Sequence, residues 1–208
     1  MRLDDFTRLP ARARAVTVDG LSGLVDIVAD GAPAERRLWR YQWYAADLAV
    51  NGGAARTIIV EQDGDPVIAL PFTGWHRRTA MLLGPAWPAR GFPVRFEADE
   101  AAFDALLQEL GRQVTALAIG PCEACDRAIG GLLDAARRRR WTAIAHDVPP
   151  SVPIDAAFRE AAGNDPVIAD ALLDAAPPAG LRQWLIVRPG LAGRLARLSR
   201  AQRTTSRV

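Results

Sequence analysis

Lysine is absent from this 208-residue chain; all 26 basic residues are arginine. With no lysine there is no phosphate loop of the Gly-Lys-Ser/Thr type, and no Gly-x-Gly-x-x-Gly fingerprint occurs either. Serine is scarce, at positions 22, 151, 199 and 206, and none stands in a Gly-x-Ser-x-Gly elbow, which argues against a serine hydrolase of that design. There are two cysteines, Cys122 and Cys125, too few for a disulfide-stapled miniprotein. Histidine is limited to His76 and His146, so a four-ligand zinc site would need every Cys and His in the chain; no metal is expected. No stretch free of charge exceeds eleven residues, as in Thr79–Ala89, whereas a spanning helix needs about 20. The start, Met1-Arg-Leu-Asp-Asp-Phe-Thr-Arg8, lacks the apolar segment that export requires, so a cytoplasmic location with reduced thiols is expected.

What is present is an ordinary globular composition, 50% hydrophobic and 24% charged. Alanine is abundant, with 39 residues, and together with the all-arginine basic set this looks like compositional bias. Most of these arginines are therefore expected on solvated surface. The net charge of +2 is uneven. Residues 181–208 hold seven arginines and no acid, and the first 180 residues carry a net −5. A basic end on an acidic body suits a polyanion partner, though nucleic acid is not the expected one.

Periodicity supplies the elements. Ala15–Val18 suits a short strand, and Leu21–Val28 is an apolar patch of mixed spacing. Glu35–Val50 reads as a helix, stopped by Asn51-Gly52-Gly53. Arg56–Glu61 and Pro66–Phe72 read as strands around Asp63-Gly64, a tight-turn signal that predicts an antiparallel hairpin. Thr79–Leu83 follows as a third strand. Asp99–Val114 is an amphipathic helix, with Phe103, Leu106, Leu107, Leu110 and Val114 on one face. Thr115–Ile119 is a short strand, after which Gly120-Pro121 opens a helix running to about Arg140. Trp141–Ala145 is another strand, and Val148–Ile154, with three prolines, is at most an irregular edge. A weak helix is expected at Ile168–Ala175, a strand at Leu181–Val187 and a basic helix from Leu191. The order is that of an α/β layered domain. The domain reading is a loose arm over 1–14, the α/β domain over 15–160, a linker over 161–180, and a strand plus basic helix over 181–208.

Several residues are candidates for chemistry. Cys122-Glu-Ala-Cys125 follows a strand and opens a predicted helix, the setting in which a helix N-terminus lowers a thiol pKa in dithiol oxidoreductases. His146, with Asp147 beside it at a strand end, suits a general base, and His76 falls in a predicted loop. Trp39 and Trp43 lie four apart on the first predicted helix; such a pair packs a core or lines a cleft. Trp75 and Trp87 flank the third strand and could line a cleft, and the substrate-cleft candidates are Trp39, Gln42, Trp43 and Trp75. In the basic tail, Leu191, Leu195 and Leu198 form one stripe and arginines a broad second face. Arg197, Arg200 and Arg203 are the anion-binding candidates there.

Taken in order, these segments resemble the CelD-like and FemAB-like acyltransferases, which have a GNAT-like fold. The resemblance is carried by Arg37-Leu-Trp-Arg-Tyr-Gln-Trp-Tyr44, by the hairpin from Thr57 to Phe72, by Met81-Leu-Leu-Gly84, by Asp126–Trp141 leading into Ile144 and Val152-Pro-Ile-Asp155, and by Leu195-Ala-Arg-Leu-Ser-Arg-Ala-Gln-Arg203. It implies a GNAT-like mixed sheet flanked by helices, with acyl transfer from acyl-CoA, such as acetyl-CoA, to an amine or hydroxyl. It also implies the N-terminal half only, with a second GNAT-like half or a second copy of the chain as partner and a small-molecule or polysaccharide-related acceptor. The family's usual pyrophosphate loop has no clear counterpart, and the resemblance assigns no catalytic residue. Two other readings stand beside it. One is a non-catalytic binding module that docks its arginine-rich C-terminal helix on a polyanion or partner protein. The other is an oxidoreductase using Cys122 and Cys125.

Overall fold

A computed structural model describes residues 13–33, 39–76, 78–84, 90–123, 126–147 and 181–189, without the side chains of residues 75, 76, 146, 147 and 181. Outside the described residues fall most of the expected N-terminal arm, Trp87, Cys125, the proline-rich edge at 148–154, the weak helix at 168–175, the linker, and the basic helix with Arg197, Arg200 and Arg203.

The described elements run β1 (Ala13–Asp19), α1 (Leu24–Asp30), α2 (Tyr41–Asn51), β2 (Ala55–Gln62), β3 (Asp65–His76), β4 (Thr79–Leu82), α3 (Glu100–Gln113), β5 (Ala116–Glu123), α4 (Arg127–Arg138), β6 (Thr142–Asp147) and β7 (Leu181–Val187). The strands form one seven-stranded sheet in the order β1-β2-β3-β4-β5-β7-β6. Neighbours are antiparallel except β4 and β5, which are parallel. The chain is thus a mixed α/β sheet flanked by helices, the fold class implied by its sequence.

Alternation along the strands assigns the two layers. Ile58, Val60, Ile68, Leu70 and Phe72 face α3 and α4, in a core with Phe103, Leu106, Leu107, Leu110, Ile129 and Leu132. Ile59 and Ala69 point the other way and pack with Val25 and Val28 of α1, Tyr44 of α2, Trp39 and Leu83. Both faces are covered, which is why β2 and β3 read as apolar runs rather than as alternating ones. The hairpin turns at Asp63 and Gly64, with φ of 55° and 95°, the left-handed pair that an Asp-Gly turn supplies.

Four places depart from the sequence reading. The first helix starts at Tyr41, not Glu35, because Arg40 is extended at φ −101° and ψ 166°; Trp39 therefore precedes the helix that Trp43 lies on. The mixed patch at Leu21–Val28 is resolved by α1, which buries Val25, Val28 and Ala29. Gly120-Pro121 does not open a helix. It is a cis step inside β5, which continues to Glu123 with a register shift against β7 between Ile119 and Cys122. Helix α4 begins six residues later, where Asp126 caps it by accepting from the Ala128 and Ile129 amides at 2.7 and 3.2 Å. Trp75 and His76, expected in a loop, belong to β3, where His76 pairs with Thr79.

Candidate functional site

The parallel pair fixes where a ligand site is to be sought. In an open α/β sheet, ligands bind in the crevice beyond the carboxyl ends of parallel strands. Here β4 and β5 pair only over Thr79–Ala116, Ala80–Leu117 and Met81–Ala118. Beyond that they are held by different neighbours. Leu83 donates its amide to Pro71 of β3 at 3.0 Å. Farther along the chain, Ala69 donates to the Pro93 carbonyl and Arg95 to Val67, so the chain returns to the same edge of β3. On the other side, β5 bulges against β7. Gly120 has φ 132°, and a Cβ there would lie 2.9 Å from Gln183 Cα, so the close approach of the two backbones requires glycine.

Side chains satisfy the β4 edge that β5 leaves. Because Leu83 bonds toward β3, the flanking Leu82 and Gly84 present their polar groups to the opposite side. The Leu82 carbonyl accepts from Arg90 Nη1 at 3.4 Å. The Gly84 amide donates to Asp47 Oδ2 at 2.9 Å, and Asp47 Oδ1 accepts from Asn51 Nδ2 at 2.7 Å. Asp47 is buried on α2, one turn from Tyr44, and this i,i+3 spacing puts both on the face turned to the sheet. The Arg90 amide donates to the Pro121 carbonyl at 2.6 Å, tying the segment after β4 to β5.

Tyr44 and Trp39 pack in the core behind the end of β4. The Tyr44 hydroxyl donates to the Gly91 carbonyl at 3.0 Å. Complete burial, and secondly the charge of Asp126, hold its pKa well above 10, so it is a neutral hydroxyl at any physiological pH. Gly84 and Gly91 are the places where these rings come closest to backbone. A Cβ at Gly91 would stand 2.2 Å from the Trp39 ring, and one at Gly84 would stand 3.2 Å from Tyr44 and 3.9 Å from Trp43. Burial lowers the pKa of Arg90, against which the charge of Asp47 acts.

The candidate residues fare differently. Trp39 lies in the core beside Gly91, and Trp43 packs against that core near Gly84. Gln42 is exposed on α2, away from the face that carries Tyr44 and Asp47. Trp75 lies in β3. Cys122 is buried in β5, not at a helix start, and its thiol donates to the Arg182 carbonyl at 3.2 Å. Burial, then the charges of Asp126 and Glu123, push that thiol up to about 12, the reverse of the activated thiolate that the dithiol reading needs. His146 lies in β6, near its end. Sequence reasoning assigns no site role to Tyr44, Asp47, Gly84, Arg90 or Gly91. The available signal was the Asp47–Asn51 spacing on a helix whose other inward positions are apolar.

A groove of about 560 Å³ opens between α3 and α4, lined among others by Asp99, Glu100, Asp126, Arg127, Asp134 and Arg138. Its guanidiniums are engaged: Arg127 with the carbonyls of Arg95, Phe96 and Ala98, Arg138 with Asp104 and Glu100. The N-termini of α3 and α4 are capped by Asp99 and Asp126. These carboxylates fill the positions an incoming phosphate would take. Among the described residues no three His, Cys, Asp or Glu side chains gather as a metal site would, and no helix is long and apolar enough to cross a membrane.

No family model matches the chain, and no curated protein matches it significantly. Among solved structures, RimL, a ribosomal L7/L12 alpha-N-protein acetyltransferase in complex with coenzyme A, aligns with 84% of this chain and 93% of its own, at 11% identity and a TM-score of 0.42.

Proposed function

We propose that this chain is a GNAT-like acyltransferase that takes an acyl group from acyl-CoA and passes it to an amine or hydroxyl. The observation that carries the reading is the β4–β5 pair: parallel, joined over three residue pairs, then held apart by different neighbours. An extended donor arm with its own amides could lie along the freed edge and bond the Leu82 carbonyl and the Gly84 amide, the two groups now satisfied by Arg90 and Asp47. The order of segments resembling CelD-like and FemAB-like proteins supports the same reading, and kinship to that branch belongs to the proposal. A second GNAT-like half, or a second copy of the chain, would complete the outer wall of the cleft. Tyr44 supplies a neutral hydroxyl fixed to backbone.

The test is calorimetric titration with acetyl-CoA, followed by release of the CoA thiol in the presence of a panel of amines and alcohols. Saturable binding, with acceptor-dependent thiol release, is expected. No binding by the full chain, alone or at concentrations that favour a dimer, would end the reading.

A further inference from the structure

The guanidinium of Arg90 is poorly served by its own protein. Its Nε is buried with no hydrogen-bond partner, and Nη1 makes one long bond, 3.4 Å, to the Leu82 carbonyl. No carboxylate among the described residues forms an ion pair with it. Asp47 acts on its charge from nearby, but both Asp47 oxygens are already taken, by Gly84 and Asn51. A buried donor left unmade costs free energy, and a guanidinium is built to hold two oxygens of one planar group. Its backbone is fixed at the site by the bond to Pro121.

We infer that Arg90 is the receptor for a carboxylate carried by the acceptor substrate, close to the amine or hydroxyl that is acylated. The unmade donors of Arg90 select this class, and the nearby acids limit the charge it can bring: Asp47 acts on Arg90, and Asp126 acts on Tyr44 and Cys122 close by. A carboxylate adds one negative charge and is held by the planar fork rather than by net charge. A pyrophosphate would bring several charges toward the same acids, and the neighbouring helix N-termini are already capped by Asp99 and Asp126. The carboxylate would take Nε and Nη2, which lie on one side of the guanidinium, while Nη1 keeps its bond to Leu82. The word acceptor rests on the acyl-transfer reading; binding of the carboxylate itself does not.

The experiment is titration of the full chain, without CoA, by a panel of α-amino, α-hydroxy and dicarboxylic acids and their matching amides. Wild type is compared with Arg90→Met and Arg90→Lys. At least one acid should bind, its amide roughly tenfold or more weakly, and Arg90→Met should lose about the same factor. Arg90→Lys should recover part of it, since it keeps the charge but not the planar fork. Melting curves of the variants check that they fold; if Arg90→Met does not, Arg90→Lys and the acid–amide contrast in wild type decide. The proposal is overturned if no acid binds, if acids and amides bind alike, or if Arg90→Met leaves acid binding unchanged. It is equally overturned if the loss is confined to CoA and inorganic pyrophosphate, which would put a donor phosphate on Arg90. Arg90-dependent acid binding in a chain that ignores acetyl-CoA would sink acyl transfer and leave this inference standing.

Discussion

At the scale of residues, adjacent glycines in α4 have opposite duties. A Cβ at Gly130 would meet nothing within 4 Å, whereas one at Gly131 would lie 2.4 Å from the Phe103 ring. Glycine within a helix costs about 1 kcal/mol relative to alanine. Gly130→Ala should therefore raise stability by up to about 1 kcal/mol, and Gly131→Ala should lower it, as read by urea unfolding of the two variants. Glu109 gives a pH signature. Burial alone would raise its pKa, but hydrogen bonds from Thr17, Arg112 and Gln113, with the charge of Arg112, outweigh that and hold it below 4.5. A carboxylate whose pKa is lower in the folded state contributes stability that is full above its unfolded value and is lost as pH falls through the folded one. Wild type should lose that contribution below about pH 4.5, and Glu109→Gln should be less stable at neutral pH with a shallower acid dependence, seen in melting temperature against pH. Little of this was visible beforehand. Periodicity marks Leu106, Leu107 and Leu110 as the buried face of α3, but nothing in it says that Glu109 turns back onto Thr17 of β1.

At the scale of elements, the legible parts were those whose signal is local. The hairpin follows from Asp63-Gly64 between β-branched runs, and α3 from its apolar stripe, with Asp99 as cap. The boundaries misread are those set by partners far along the chain. Gly120-Pro121 looks like a helix opening, yet β7, some sixty residues later, pairs through it and keeps the chain extended to Glu123. Asp126, inside the segment expected to be helical, is instead the cap that starts α4. Asp126→Ala should cost about 1–2 kcal/mol, because two buried amides lose their acceptor. Asp126→Asn should cost less, since it keeps an acceptor oxygen, and denaturant midpoints of the two variants check the order. The same substitution removes a charge that raises the Cys122 and Tyr44 pKa values, so thiol titration in Asp126→Asn should shift downward without reaching neutrality.

At the scale of the molecule, the sequence implied a mixed sheet with helices on it, and a candidate cleft defined by tryptophans. The sheet is there. Trp39 packs in the core with Trp43 against it, and the polar groups at the end of β4 come from Asp47, Arg90 and the backbone of Leu82 and Gly84, brought together only when β4 and β5 part. That parting follows from strand order, which no window of sequence contains. The claim that most depends on it is that the ligand lies along the freed edge of β4. Hydrogen exchange with and without saturating acetyl-CoA, read at peptide resolution, is the direct measurement. Slowed exchange confined to Leu82–Gly84 and Gly120–Cys122 is the expected result; binding that leaves those amides unchanged and protects the α3–α4 groove instead would contradict it.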